Sequence, residues 1–232
     1  MGRNAGSSIR PGPSAQPISR RLRAAFALAW VLLVLYPRPW DLALTLERSL
    51  YPPVDAHAAA EVASQLDDDP VHIEKAVREQ IIPYAYDWTV YDEPWYFATV
   101  SEALRDGRGD CESQAIVLAS ILDAKKIPYK LEVSFDHIWV QYPQKKENLQ
   151  ERDAVAVLEH VNGKIRVKAP NEFDWNKFIN SHREAHWDPM PLWRKWLLGL
   201  GLVLTAFASP SRLRALWPAA WRRATASPYP RH

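Results

Sequence analysis

The segment Gly107-Arg-Gly-Asp-Cys-Glu-Ser-Gln-Ala115 contains the single cysteine of this 232-residue chain. A glycine-rich turn here runs directly into an apolar-periodic stretch that continues to Ala124, and this predicts that Cys111 begins a helix. Free N–H groups and the positive end of the helix dipole favour an anion at that position, so we expect a thiol that loses its proton easily. A lone cysteine is also a common small core residue, and Cys111 alone does not decide between nucleophile and core.

The residues before this segment predict helices and an aromatic loop. Asp69-Pro70 supplies a helix cap and a proline at the first helical position. The helix that follows would place four side chains on one face: Ile73, Val77, Ile81 and Tyr84. An aromatic loop covers residues 86–97, and Thr99-Val-Ser-Glu102 has the spacing of a capping box.

The residues after the cysteine helix predict strands. Apolar and polar side chains alternate over residues 129–135, and His137 begins a second strand directly after a turn. The dipeptide Asn162-Gly163 predicts a hairpin between strands over 154–161 and 164–168. Helices first and an antiparallel meander afterwards predict an α+β fold, with helices packed on an antiparallel sheet.

The charges divide the chain into three parts. Residues 1–40 carry six arginines and no acid, residues 193–232 carry seven basic residues and no acid, and the middle carries all 27 acidic residues against 16 basic ones. The middle is therefore at −11, between arms of +6 and +7. A basic chain often binds nucleic acid, but here the positive charge flanks apolar runs. We therefore expect membrane phosphates, and no nucleic acid, as its partner.

Each basic arm contains a 13-residue apolar run, Ala24–Tyr36 or Trp196–Ala208. A helix of that length reaches only ~20 Å, short of the ~30 Å hydrocarbon core. Flanking arginines and tryptophans nevertheless favour a membrane, and Pro37-Arg-Pro39 stands where a signal peptide would be cleaved. We expect a protein of the bacterial inner membrane with both termini cytoplasmic and the acidic middle periplasmic. The predicted parts are a disordered basic tail (1–20), an N-terminal anchor (21–40), a central domain (54–190), a C-terminal anchor (193–210) and a basic tail (211–232).

The second reactive residue is His137, which lies 26 residues beyond Cys111. A thiolate beside an imidazolium supplies both a nucleophile and a general acid. Over residues 71–170 the chain resembles the transglutaminase-like superfamily of papain-related cysteine enzymes. Four segments carry the resemblance: Ile81-Ile-Pro-Tyr84, Gly107 to Ala115, Lys126-Ile-Pro128 and His137-Ile-Trp139.

The resemblance implies a transglutaminase-like fold and a Cys-His-Asp site that transfers acyl groups from amides to water or an amine, without a metal or other cofactor. Ala169 stands where the family has its aspartate. If the loop Pro143–Arg152 joins neighbouring strands, Glu159 faces His137, so Glu159 is the predicted third residue. Weaker candidates are Asn171, Asp153 and Asp174. For the oxyanion we expect the backbone N–H of Cys111, with Trp95 or Tyr96 as a second contact.

These residues predict an amide hydrolase that acts on a protein or peptide, since nothing in the sequence marks an amine-acceptor pocket. The missing aspartate at Ala169 leaves a second hypothesis, a membrane-bound scaffold without catalysis. A soluble cytosolic amidase with core helices at its ends is a third.

Three other motifs have simpler structural interpretations. Arg108-Gly-Asp110 spells an adhesion tripeptide, but a helix start already explains its glycine and aspartate. His182 and His186 share a helix face as zinc ligands would, yet a solvated or interfacial pair accounts for them. The run Asp67-Asp-Asp69 is a polar connector and helix cap rather than a calcium loop.

Overall fold

The structure is a computed structural model that describes residues 20–135, 137–146, 151, 153–161, 164–169 and 174–207. Within these residues the helices are α1 (Arg20–Leu35), α2 (Pro39–Leu50), α3 (Ala60–Ser64), α4 (Pro70–Ala76), α5 (Asp87–Val90), α6 (Val100–Asp106), α7 (Cys111–Ala124), α8 (Trp175–His182) and α9 (Leu192–Phe207). The strands are β1 (Lys130–Val133), β2 (Ile138–Gln141), β3 (Leu158–Val161) and β4 (Lys164–Val167). Single π-helical turns, Val77–Ile81 and Arg183–Trp187, continue α4 and α8.

The chain divides into two compact units. One contains residues 1–34 and 195–232, and the other is Leu35–Arg194, which includes the predicted central domain. The predicted tails lie outside the described residues, apart from Arg20, which begins α1.

The larger unit has an α+β fold with one antiparallel sheet, as the sequence predicts. Its strand order is β2-β1-β3-β4, so β1 lies between β2 and β3. The hairpin of β3 and β4 is confirmed by the pairing of Val161 with Lys164. The predicted meander is wrong at one point, because β3 pairs with β1 and not with β2. The segment between β2 and β3 therefore crosses β1.

Helix α7 is the centre of the core. It contacts α3, α4 and α6 as well as β1 and β2. Nine of its fourteen residues are buried, from Ser113 to Leu122. Burial of each leucine or isoleucine side chain stabilises the fold by about 1.5–3 kcal/mol relative to an exposed one. Because α7 is buried on most of its surface, its packing positions the helices and strands that contact it.

The helix starts before α7 follow their local signals. The side chain of Asp69 accepts from Val71 N, and the Thr99 capping box is complete. Ile73 and Val77 are fully buried, but Tyr84 is 55% exposed, so the prediction that it shares their face is wrong. The helical segment ends at Ile81, before Pro83, and Tyr84 lies beyond it in an isolated bridge with Gly109, so it does not continue the helix face.

The smaller unit pairs most of α1 with most of α9. Trp30 donates from Nε1 to the carbonyl of Leu197 at 3.1 Å. A Cβ added at Gly201 would lie 1.9 Å from Trp30 Nε1, so the indole packs directly on the glycine backbone. Each helix has 16 residues. No described helix is by itself long and apolar enough to cross a membrane, while α1 and α2 pass that test together, across a bend.

Candidate active site

The start of α7 is fixed by two glycines and an aspartate. Gly107 has φ 62°, a left-handed conformation that ends α6 without strain. A Cβ on Gly109 would lie 2.4 Å from that of Ser113, so this position has no room for a side chain. Asp110 accepts from Ser113 N at 3.3 Å as the N-cap. The structural interpretation of the Arg-Gly-Asp tripeptide is confirmed, and Cys111 is the first residue of the helix, as predicted.

Gly109 also ties this turn to the segment that follows the π turn. Its N–H donates to Pro83 O at 3.2 Å, and its carbonyl accepts from Ala85 N at 2.8 Å. The turn on the N-terminal side of the cysteine is therefore held by residues 83–85. Cys111 lines a small cavity together with His137 and Ile138, at the start of β2.

His137 lies immediately before β2, and its Nε2 is 3.2 Å from Oε1 of Glu151. Lys145 lies 3.1 Å from the other oxygen of this carboxylate. Burial works against ionisation of Glu151, but the hydrogen bond from His137 and the charge of Lys145 outweigh it and lower the pKa to about 2. A 5% exposed carboxylate that is ionised at neutral pH thus holds the imidazole with Nε2–H as the donor.

The predicted third residue, Glu159, does not face His137. It lies on β3 opposite Glu132 of β1 and Arg166 of β4. Its carboxylate is held by Lys168, with Lys130 at 3.6 Å. The prediction is wrong because it assumed that β3 neighbours β2, whereas β1 separates them.

The other candidates for the third position do not reach the histidine in the described structure. Asp174 caps α8 and accepts from Asn176 N and Lys177 N. Ala169 follows β4, at the far edge of the sheet from β2. Asn171 and the side chain of Asp153 lie outside the described residues.

Cys111 and His137 line the same cavities. A cleft of about 610 Å³ is bordered by both residues together with Trp95 and Glu112. A smaller cavity of about 30 Å³, enough for a water molecule, is bordered by both residues and Glu151. The two side chains are both described, and no hydrogen bond joins them. The structure brings the predicted pair into one site but not into a preformed ion pair.

The thiol of Cys111 instead donates to Oε2 of Glu112 at 3.1 Å. Burial, then the charge of Glu112 and the neighbouring Asp110 carboxyl group, raise the pKa of Cys111 well above its usual range, although the backbone N–H of Ile138 acts in the opposite direction. The prediction of an easily ionised thiol is therefore wrong for this state. The helix dipole is outweighed by burial and by two carboxyl groups of the helix start itself.

Glu112 and Asp110 share a proton. Burial and the charge of Glu112 raise the pKa of Asp110, so Asp110 is the protonated partner and donates to Glu112. Burial also opposes ionisation of Glu112, but hydrogen bonds from Asp110 and Cys111 outweigh it and lower its pKa. The site therefore contains one buried carboxylate directly beside the sulfur.

Of the two aromatic residues expected at the oxyanion, only Trp95 reaches the cysteine side of the site. Its Nε1 donates to Oε1 of Glu112 at 3.1 Å. The hydroxyl of Tyr96 points to Glu102, in the capping box of α6, at 3.1 Å. Trp95 therefore covers the carboxylate that holds the thiol.

His182 and His186 border the same cleft. Their ring centroids are 5.4 Å apart, and each Nδ1 lies within 2.9 Å of a backbone carbonyl, of Phe178 or of Pro94. Among the described residues the pair meets no third metal-ligating side chain. In the described part of the chain, one group of three potential metal-ligating side chains has its sulfur and oxygen atoms within 4.8 Å of one another, namely Asp110, Cys111 and Glu112.

Two residues of the site were missed at the level of sequence. Glu151 lies in a polar loop, where strand periodicity gives no signal for a third residue. Glu112 follows the cysteine directly, and the helix-start rule that predicts an ionised thiol takes no account of a neighbouring side chain that accepts its hydrogen. A count of every carboxylate between His137 and the next strand would have included Glu151.

The chain was compared with known proteins in three ways. No family model, no curated protein and no solved structure matches it. Its function is therefore argued from the geometry of the site.

Proposed function

We propose that this protein is a membrane-anchored, transglutaminase-like cysteine enzyme that hydrolyses amide bonds of a peptide or protein. The observation that carries the proposal is the hydrogen bond from His137 Nε2 to Glu151, because His137 also lines two cavities together with Cys111. Glu151 supplies the carboxylate that the sequence lacks at Ala169. A nucleophile, a base and a group that orients the base are what such acyl transfer requires.

The tautomer of the histidine supports this assignment. An imidazole that donates Nε2–H to Glu151 has its lone pair on Nδ1 and can accept a proton there. The Cys111 S–H bond breaks, its proton passes to Nδ1, and the sulfur attacks the amide carbonyl carbon. The C–N bond then breaks as His137 returns the proton to the leaving amine, which leaves a thioester on Cys111.

Water completes the reaction. As water attacks the thioester, His137 accepts one of its protons, and the hydroxyl remains on the acyl group as a carboxylic acid. The C–S bond breaks and the proton returns to sulfur. The backbone N–H of Cys111, at the first position of α7, is suited to stabilise the oxyanion in both steps.

A peptide-amide library tests the proposal. Full-length protein in detergent micelles should release amine from a subset of the library and accumulate a thioester on Cys111, visible by mass spectrometry. His137→Ala should slow release by at least about 100-fold, since general acid–base catalysis contributes at least that much. Equal release by Cys111→Ala, or no release from any member, would contradict the proposal.

The membrane-anchored part of the proposal is supported by the surface of the smaller unit. Large apolar side chains are exposed on both of its helices: Phe26, Leu28, Leu33, Leu200, Leu204 and Phe207. Contiguous apolar surface of this kind fits lipid better than water. The Trp30–Gly201 contact makes the two short helices one packed pair, and snorkelling arginines and local thinning would accommodate their length.

Membrane fractionation tests this part. The expressed protein should stay in the pellet after an alkaline carbonate wash and dissolve in detergent, with a reporter at His232 on the cytoplasmic side. Recovery in the supernatant would favour a soluble amidase instead.

A non-catalytic membrane scaffold is the second candidate. It is favoured by one observation, that Cys111 donates to Glu112 and not to His137. It predicts a folded chain without activity on any amide, whatever the state of Glu112.

A further inference from the structure

Glu112 contacts the sulfur of Cys111 in the part of the cleft that is bordered by Trp95 of the aromatic loop. Its Oε2 accepts the thiol hydrogen at 3.1 Å, while its Oε1 accepts from Trp95 at 3.1 Å. One carboxylate thus connects the predicted nucleophile to a side chain that borders the 610 Å³ cleft.

We propose that Glu112 is a resting-state latch, which holds Cys111 as a thiol until substrate in the cleft displaces Trp95 and releases the sulfur to His137. The proposal rests on the proposed function, because His137 is the base that receives the thiol proton. It assigns to Glu112 and Trp95 a positioning role that keeps the enzyme silent without substrate.

The geometry explains why the latch holds. A thiol that donates to a carboxylate cannot at the same time give its proton to an imidazole. Glu112 in turn is stabilised as an anion by donors on two sides, Asp110 and Trp95. Trp95 also fixes the orientation of this carboxylate, so moving its indole lets Glu112 turn away from the sulfur as substrate fills the cleft.

Other titratable groups face Glu112 from the start of its own helix and from three neighbouring segments. Tyr84 follows the first π turn, and burial raises the pKa of its hydroxyl, with smaller contributions from Cys111, Asp110 and Glu112. Asp110, at the N-cap of α7, carries the shared proton. Asp87 of α5 is buried, and burial together with the charge of Glu112 raises its pKa. His186 of the second π turn interacts with Glu112, although burial lowers the pKa of this histidine. Glu112 is therefore the ionised group of the cluster, and its charge opposes the thiolate.

Alkylation of Cys111 by iodoacetamide tests the latch on full-length protein in detergent micelles. Glu112→Gln keeps the size of the side chain and removes the charge, so the second-order rate constant at pH 7.5 should rise by about tenfold or more, one pKa unit of the thiol. Glu61→Gln, on the exposed surface of α3, is the matched control and should change the rate by less than about twofold. An unchanged rate in a folded Glu112→Gln protein overturns the proposal.

Two further measurements keep the test independent of folding and of the proposed function. In the unmodified chain the alkylation rate should climb with pH through a midpoint above pH 9, and a midpoint at or below pH 9 overturns the latch. The double variant Glu112→Gln/His137→Ala separates the two proposals. If the released thiol reacts equally fast without His137, the latch stands and the Cys-His enzyme fails, whereas no release in the single variant means that the latch fails.

Discussion

Glu151 and Glu159 are chemically alike but lie in different places, Glu151 in the segment between β2 and β3 and Glu159 within β3. Both are at most 6% exposed, both have a lowered pKa, and both are paired with lysine. Glu151 also contacts His137, because the segment after β2 brings it to that end of the sheet. Glu159 lies two strands away in a network of charges. Burial and charge pairing do not mark a functional carboxylate; the contact with the imidazole does.

The largest expected difference between the two carboxylates is in amide turnover. Glu151→Gln removes the charge that fixes the His137 tautomer, and kcat should fall by about 10⁴-fold, as expected when the orienting carboxylate of a triad becomes an amide. Glu159→Gln should change kcat by less than about twofold. Release of amine by the two full-length variants, each checked for folding by circular dichroism, decides this. Equal losses would remove the distinction between the two regions.

The lysines that pair with Glu151 and Glu159 also differ in their expected effects. The side chain of Lys145 is 6% exposed and pairs with Glu74 and Glu151, so Lys145→Met leaves the buried carboxylate of Glu151 with the more exposed and more distant Arg78, at 3.8 Å, as its cation. We expect a loss of about 3 kcal/mol in the free energy of unfolding, together with slower turnover. Lys168 is 25% exposed and shares its carboxylates with Lys130, and Lys168→Met should cost about 1 kcal/mol without slowing turnover. Chemical denaturation in micelles measures both, and the reverse ranking would contradict the assignment.

A third buried carboxylate gives the opposite pH dependence. Burial and the nearby carboxyl group of Asp41 raise the pKa of Glu93 from 4.5 to about 7. A raised folded-state pKa stabilises the protein below about pH 4.5, and this stabilisation is lost as the pH rises through 7. Glu151, with its pKa lowered to about 2, instead loses its contribution as the pH falls from 4.5 through 2.

Glu93→Gln tests that sign. Glutamine mimics the protonated acid, so the variant should gain on the order of 2 kcal/mol over the unmodified protein between pH 5 and pH 8. Unfolding free energies at the two pH values measure this gain. A constant difference would show that Glu93 does not take up a proton on folding.

The sequence predicts local features of this fold well, because their causes lie within a few residues. The two glycines and Asp110 specify the start of α7, and the alternation over residues 129–135 predicts the existence of β1. The alternation itself is not kept, because Glu132 is buried and Phe135 is 50% exposed. The thiol is a local feature that was nevertheless predicted wrongly. The general rule of helix-end electrostatics predicts a lowered pKa for the thiol. The carboxylate that opposes this effect, Glu112, is held in place by Trp95, which lies 17 residues away in the chain.

The third site residue could not be predicted for a different reason. A pairing of β3 with β2 and a pairing of β3 with β1 satisfy the same alternation of side chains. The choice depends on how the connecting segment crosses the sheet, and this is a property of the packed fold. The order of the strands removes Glu159 from the site, and the crossing segment supplies Glu151.

The tautomer of His137 is the most direct test of this account. Long-range ¹H–¹⁵N NMR of the full-length protein should show the proton of the neutral ring on Nε2, both in the unmodified chain and in Glu159→Gln. In Glu151→Gln the ring should lose that preference or exchange between tautomers. A proton on Nδ1 in the unmodified chain, or a change caused by Glu159→Gln alone, would contradict the assignment of Glu151 as the residue that orients His137.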